Sequence, residues 1–344
     1  MAKSVCSLRA HSGGCSNRLY KCTINGDKST SVLFRLYGTE AVPASSIRRT
    51  QTESSLAAVF IIISEALNCP RLLGLFDGGR IEQFIESRTL TRCEARSDHI
   101  NGIIARKLAK LHSLEMPVVK QSKCPVQVSR QLLDLFDASK SEKLDRILPK
   151  DKTLADEVLE FDFVEALDWL ISVRVQFDSP LCFCHQDLHL NNMLLKLSAK
   201  EDALTDNDIL LIDYDNACYN QRATDMGSHF FHRVFLFGSK QVVRPDGVST
   251  DREKKVFIEE YLAELVRIRE DRNTPLHEKF DTIEQLTLEV DFYEAGMCMV
   301  VAAWMLQFRD FGDANFEVWQ SIKGCCDLFV AKRSEFIEKY PNLV

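Results

Sequence analysis

The residue pattern of this chain changes character near Ile85, and that change constrains the fold more than any other feature. Before it, short β-prone runs separated by glycine turns surround one helical stretch; after it, the pattern is mostly helical. Residues 12–37 predict a β-hairpin behind a glycine-rich turn. Ser12-Gly13-Gly14-Cys15-Ser16-Asn17 is small or polar throughout, and Asn25-Gly26 separates β-prone runs at 19–24 and 31–37. Asn-Gly between two such runs is a strong hairpin signal, although Asp27 to Thr30 could lengthen the loop. A helix is expected to start near Thr50, because Thr50 and Glu53 have capping-box spacing and an apolar run from Leu56 follows. Pro70 closes it. Residues 72–76 and 80–85 predict another strand pair around Asp77-Gly78-Gly79. Residues 1–85 therefore read as a small lobe, an antiparallel sheet with one main helix.

Residues 86–344 read as a larger, mostly helical lobe. Apolar Ile100, Ile103, Ile104, Leu108 and Leu111 recur three or four apart, residues 154–177 are again helical, and helices dominate from Asp225 onward, broken at Arg244-Pro245-Asp246-Gly247. Residues 118–150 are mixed. Three short strands are expected at 181–184, 192–197 and 209–212. The fold class is thus α+β with two lobes, and a cleft between lobes is where ligands sit.

Composition narrows the function. A net charge of −7 argues against a general nucleic-acid binder, which needs a basic face to neutralise phosphates. The twelve cysteines are scattered, form no C-x-x-C, and follow no apolar leader, so buried free thiols in a reducing cytosol are expected rather than a disulfide framework. Cys182 with Cys184, and adjacent Cys325 and Cys326, have no matching partner pair at zinc-site spacing. The longest apolar stretch, 56–63, is shorter than the roughly 20 residues a membrane span takes. A cytoplasmic protein without a membrane span is expected.

The chemistry concentrates in Phe183-Cys184-His185-Gln186-Asp187-Leu188-His189-Leu190-Asn191-Asn192-Met193-Leu194-Leu195. An H-x-D-x-x-x-x-N order lies between two apolar runs, and Asp213 ends the strand Ile209-Leu210-Leu211-Ile212. Phosphoryl transfer calls for such a set. Hard oxygen ligands must hold Mg²⁺ against the charge spread over phosphate oxygens, and a carboxylate must orient the attacking hydroxyl and accept its proton. Asn192 and Asp213 would hold the metal, Asp187 would face the hydroxyl, and His185 would brace the loop. His185 and His189 also have the i, i+4 spacing of a zinc pair, but that needs a helix, and Asn191-Asn192 before a strand argues against one.

These strings resemble the choline/ethanolamine kinase family, whose fold is similar to that of protein kinases and aminoglycoside phosphotransferases. Residues 183–195 resemble the family's catalytic loop FCHxDxxxxNILL, Leu211-Ile212-Asp213-Tyr214-Asp215 its metal strand LIDxE, and residues 219–230 its YNxRxxDIGNHF segment. Upstream, Ser12 to Asn17 resembles the nucleotide loop GGxSN, and residues 32–38 resemble VLLRIYG. The resemblance implies a two-lobed protein-kinase-like fold and an ATP- and Mg²⁺-dependent kinase acting on the hydroxyl of choline or ethanolamine, early in phospholipid head-group synthesis. It implies nucleotide contacts from Gly13, Gly14, Ser16, Asn17 and Arg35, with Gln83 and Ile85 backbone groups at the adenine. Glu53 would orient Arg35 or act in the capping box alone. Leu108 to Pro117 matches as a packing helix without chemistry. A homodimer is implied by resemblance only.

The amine side departs from the family pattern. Quaternary ammonium groups are held by aromatic cages. Here Asn216 replaces a cage tyrosine, Trp304 stands without the second tryptophan (Val301 falls there), His189 replaces a glutamine and His232 a glutamate. Three readings stay open: a reduced choline cage using Trp304 with Tyr293, Phe235 or Phe237; an ethanolamine site in which Asp215 and Asn216 accept from the primary ammonium; or another amino-alcohol, or ATP binding without turnover. No D-F-G follows the catalytic loop and no A-P-E string occurs, which sets protein kinases aside.

Overall fold

The computed structural model describes residues 6–11, 17–24, 27–37, 52–122, 125–145, 147, 149–177, 179–200, 203–235, 243–307 and 317–343. The first lobe holds β1 (Cys6–His11), β2 (Asn17–Ile24), β3 (Asp27–Tyr37), α1 (Glu53–Leu67), β4 (Leu72–Phe76) and β5 (Gly79–Gln83). Its five strands are antiparallel in the order β1-β2-β3-β5-β4. The hairpin is tight, because Ile24 pairs with Asp27 and leaves only Asn25-Gly26 between the strands. Strand β1 was not anticipated, although its Cys-Ser-Leu-Arg-Ala-His alternates apolar and polar residues; it pairs with β2 along its whole length. Helix α1 starts later than its sequence suggests. Thr52 is the N-cap and accepts from the Ser55 amide at 3.2 Å, so Glu53 is the first helical residue and not the third position of a capping box. Asn68 ends the helix in the left-handed region, φ 53°.

Strand β6 (Ser87–Thr89) follows the inter-lobe segment and pairs not with the five-stranded sheet but with strand β8. After it come α2 (Arg92–Arg96), α3 (Asp98–His112), α4 (Pro125–Ala138), α5 (Lys140–Leu144), α6 (Lys152–Leu159), α7 (Phe163–Arg174), β7 (Leu181–Cys184), β8 (Met193–Lys196), β9 (Ile209–Leu211), β10 (Cys218–Gln221), α8 (Ala223–Val234), α9 (Asp251–Asp271), α10 (Ile283–Met305) and α11 (Val318–Lys339). The helical stretch expected at 154–177 is split in two, with Asp162 capping the second helix by accepting from the Glu165 amide at 2.9 Å. The mixed segment resolves into α4 and α5, and β10, unforeseen, pairs with β7. Among the described residues no helix is long and apolar enough to cross a membrane. Eight described cysteines are free, but Cys22 is disulfide-bonded, which corrects the all-thiol expectation at that position. Pairing of cysteines is decided by which residues meet in space, which spacing along the chain does not reveal.

Two features of the larger lobe position the site. The three-stranded sheet β6-β8-β9 ties the inter-lobe segment to the catalytic strands: the Leu90 amide donates to the Met193 carbonyl at 2.9 Å and the Leu197 amide to the Glu86 carbonyl at 3.0 Å. Beneath it, α8 packs against the buried central helix α10. Gly227 permits this contact, since a Cβ there would lie 2.6 Å from the Tyr293 carbonyl carbon and 2.7 Å from the Glu294 nitrogen, both backbone atoms. Gly227→Ala is therefore expected to destabilise the protein by about 1–3 kcal/mol, read as a lowered urea midpoint at unchanged slope.

Candidate active site

The segment between β7 and β8 is the candidate catalytic loop, and its conformation is imposed from below by Asp225. That carboxylate, fully buried in the first turn of α8, accepts from the backbone amides of His185 at 2.6 Å and Gln186 at 2.8 Å. Burial alone would raise the Asp225 carboxyl, but the His112 hydrogen bond and charge outweigh it and keep it low. Gln186 takes φ 64°, a strained value that such anchoring can hold. His185 locks the loop from the other side, donating through Nε2 to the Ile212 carbonyl at 2.9 Å and accepting at Nδ1 from the Asp187 amide at 3.3 Å. Its neighbour in space is β9, the strand expected to present a metal ligand.

Asp187 is thereby set between Asn192 and Asn216, with its carboxylate partly exposed. Its Oδ2 accepts from Asn216 Nδ2 at 3.2 Å, and its carbonyl accepts from Asn192 Nδ2 at 2.9 Å. With its nitrogen committed to the loop, the Asn192 amide keeps Oδ1 as the atom able to meet a metal. The Ile212 amide donates to the Asn192 carbonyl at 3.0 Å, which sets Asp213 beside Asn192. Asp213 itself adopts φ 67°. Burial pushes its carboxyl up; Arg35 opposes this, but burial together with nearby Asp215 and Asp187 prevails. An all-oxygen donor set in which carboxylates crowd one another fits a hard divalent cation.

Strand β3 brings Arg35 to this cluster. In the sheet register Arg35 lies directly opposite Arg80, an arrangement of like charges that would be unfavourable without carboxylates. Glu82 supplies the first, accepting from Arg35 Nε at 2.9 Å and Arg80 Nε at 2.7 Å. Arg35 Nη1 reaches Asp213 at 3.3 Å and lies 3.8 Å from Asp215, while Arg80 Nη1 donates to Asp215 at 2.9 Å. The other Asp215 oxygen accepts from Asn17 Nδ2 at 3.1 Å. Burial works to raise the Asp215 carboxyl, yet Arg80 and Arg35 outweigh it and hold it at about 2. Arg35, although buried, stays charged, because Asp213, Glu82 and Asp215 overcome its desolvation.

Asp187, Asn192, Asp213, Asp215, Asn216, His189, Arg35 and Asn17 are thus brought together. Gly13, Gly14 and Ser16 lie outside the described residues, as does the Glu53 side chain; among the described residues Glu82, Asp213 and Asp215 are the carboxylates on Arg35. Gln83 ends β5, its amide donating to the Arg71 carbonyl at 2.8 Å, and the Ile85 carbonyl accepts from Ser87 Oγ at 2.9 Å. His189 Nε2 accepts from Asn192 Nδ2 at 3.2 Å and stands 3.7 Å from Asp187. Behind it His232 packs edge-on at 5.6 Å, followed by Phe235 at 6.1 Å. Phe235 and Tyr293 are buried, Tyr293 donating to Gln221 Oε1, and Phe237 lies outside the described residues. Trp304 is half-buried in the last turn of α10, against the core.

Sequence reasoning missed Arg80, Glu82 and the roles of Asp225 and His112. Arg80-Ile81-Glu82 alternates as an ordinary solvated strand face would, but here the charged face is the buried one. Leu108 to Pro117 is not purely a packing segment, since His112 Nε2 meets Asp225 Oδ2 at 3.1 Å.

Solved structures share this architecture and define its class. A choline kinase from Cryptosporidium parvum matches with a TM-score of 0.70 at 19% identity, over 97% of this chain and 90% of that one. A Plasmodium vivax ethanolamine kinase matches at 0.68 and 19%, over 96% and 83%. At such identities the likeness speaks for the fold alone, a two-lobed protein-kinase-like one. The family model for choline/ethanolamine kinase matches residues 8–321, and the chain belongs to that family. A Rattus norvegicus protein named choline/ethanolamine kinase is 31% identical over 273 residues, 76% of this chain and 64% of the rat protein. The chain thus spans less than two thirds of that relative's length.

Glu82→Gln leaves two buried guanidiniums short of a counter-charge, and removal of one partner from a buried ion pair costs about 3–5 kcal/mol. Denaturant unfolding of the variant is expected to show a loss of that order, with Glu82→Asp retaining part of it.

Proposed function

We propose that this chain transfers the γ-phosphoryl group of ATP to the hydroxyl of choline, ethanolamine or both, early in phospholipid head-group synthesis. The observation that carries the reading is the convergence of Asp187, Asn192 and Asp213 on one cleft wall, with Arg35 reaching the same cluster. Asp187 accepts the proton as the hydroxyl oxygen attacks phosphorus; the oxygen–phosphorus bond to ADP breaks and ADP leaves. Asn216, hydrogen-bonded to Asp187 Oδ2, aims that carboxylate. Mg²⁺, held by Asn192 and Asp213, would neutralise phosphate charge. Arg35 contributes positive charge toward the phosphates, Gly13, Gly14, Ser16 and Asn17 a phosphate loop, and Gln83 and Ile85 the adenine contacts. Residues 1–85 and 86–344 act as the two lobes. A cytosolic homodimer completes the reading, carried by the family resemblance.

A second reading, another small amino-alcohol as acceptor, is favoured by one observation. The wall next to Asp187 carries the His189–His232 pair, and Tyr293 and Phe235 are packed away rather than presented as cage faces. On either reading His189, Asp215, Asn216 and Trp304 are the residues proposed toward the amine.

The test is an ADP-release assay with Mg·ATP and either choline or ethanolamine varied. ADP with neither, while a third amino-alcohol is turned over, selects the second reading; ADP with none leaves a non-catalytic ATP binder and refutes both. Asp187→Ala is expected to lower kcat by about 10²–10⁴-fold with ATP affinity little changed. Asp213→Ala is expected to abolish metal-dependent ATP binding as well, measured by calorimetry with and without Mg²⁺.

A further inference from the structure

The phosphoryl-transfer reading makes no use of the two thiols on β7. Strand alternation puts Cys182 and Cys184 on one face, away from Phe183. Their sulfurs are 3.5 Å apart. His112, the last residue of α3, faces the same point, and one of its ring nitrogens and both sulfurs lie within 4.8 Å of one another. Both ring nitrogens have partners, Nδ1 3.0 Å from the Tyr261 hydroxyl and Nε2 3.1 Å from Asp225 Oδ2, so a metal would displace one and keep the other as the group that orients the ring.

Geometry distinguishes two uses of such a pair. A disulfide needs sulfurs about 2.05 Å apart. Two thiolates sharing a tetrahedral zinc, each about 2.3 Å from it, stand about 3.8 Å apart. The observed spacing is close to the second. We propose that His112, Cys182 and Cys184 form a binding site for a thiophilic divalent cation of the zinc type, behind the catalytic loop. One imidazole and two thiolates suit a borderline-soft ion better than Mg²⁺, and three protein ligands leave a fourth position for Asp225 or water. The Cys182 thiol is prepared for this. Burial raises it, but the hydrogen bond from Cys184 and the His112 and Arg222 charges outweigh that and bring it below the usual thiol range, while burial and the neighbouring Cys182 hold the Cys184 thiol well above that range. On binding, two S–H bonds break, two metal–sulfur bonds form and two protons pass to solvent, with a third from His112 where it is protonated. Whichever ring nitrogen coordinates, it exchanges Asp225 or Tyr261 for the metal. The site therefore touches the anchor of the catalytic loop.

The test is titration of the reduced full chain with Co²⁺, which reports its ligands by absorbance. A sulfur-to-cobalt charge-transfer band with tetrahedral visible bands is expected at stoichiometric metal, lost when Zn²⁺ is added. Cobalt at Asn192 and Asp213 would have oxygen ligands and no such band. Cys182→Ser and Cys184→Ser are expected to abolish the band, His112→Asn to weaken it, and Cys93→Ser to leave it intact. A band that survives both β7 substitutions, or no band in the native protein, overturns the proposal. Should the variants not fold, zinc protection of Cys182 from alkylation in the native chain, read by mass spectrometry, decides the same question: protection is expected, and alkylation at the same rate with and without zinc overturns the site.

Discussion

Two arginines facing each other across adjacent strands set the terms for the rest of the molecule. Arg35 and Arg80 are buried and register-paired in the small sheet, so their charges must be met by carboxylates that the sheet alone does not supply in full. Glu82 provides one, and the segment after β9 provides Asp213 and Asp215. Taking such ions out of water costs several kcal/mol each, recovered only when geometry is close to ideal. The consequence is mutual: the sheet is completed by the larger lobe, and the acidic segment is held at a defined distance from Arg35. The same ion pairs thus join the lobes and shape the phosphate end of the cleft.

The catalytic loop depends on a second buried charge. Asp225 sits in the first turn of α8, where a carboxylate is favoured by the helix dipole, and receives two loop amides and His112. Gln186 and Asp213, both at positive φ without being glycine, are held by this network and by His185. Strain of that kind persists only where the surroundings over-determine it. Gly227, two residues beyond Asp225, lets α8 come close enough to α10 for the anchor to be buried at all.

The two walls of the cleft differ in how openly the sequence declares them. On the proposed phosphate wall, Asp187 and Asn192 stand five residues apart with Asp213 after the next apolar strand, and the Asn25-Gly26 turn leads into the strand that carries Arg35. On the amine wall the expected aromatic residues are absent or packed inward, and the place beside Asp187 is taken by imidazoles. His189 and His232 were visible as departures, but their edge-on contact was not, since they come from a loop and from α8.

What the sequence determined by itself was local: the strand-then-helix division, the hairpin turn, and the H-x-D-x-x-x-x-N order. In that order each residue's proposed role follows from its few neighbours. The start of α1 was misjudged because Thr50 and Thr52 offer competing caps, and the choice between them depends on how the helix docks. What only the tertiary structure decided was which distant groups meet. Arg35 pairs with Asp213, Arg80 with Asp215, and His112 with Asp225 beside Cys182 and Cys184. A charged alternation such as Arg80-Ile81-Glu82 reads the same whether it faces water or a buried partner. Only the fold brings the partner, because the electrostatic energy of a charge is set by its neighbours in space and by its distance from water, neither of which is written in spacing along the chain.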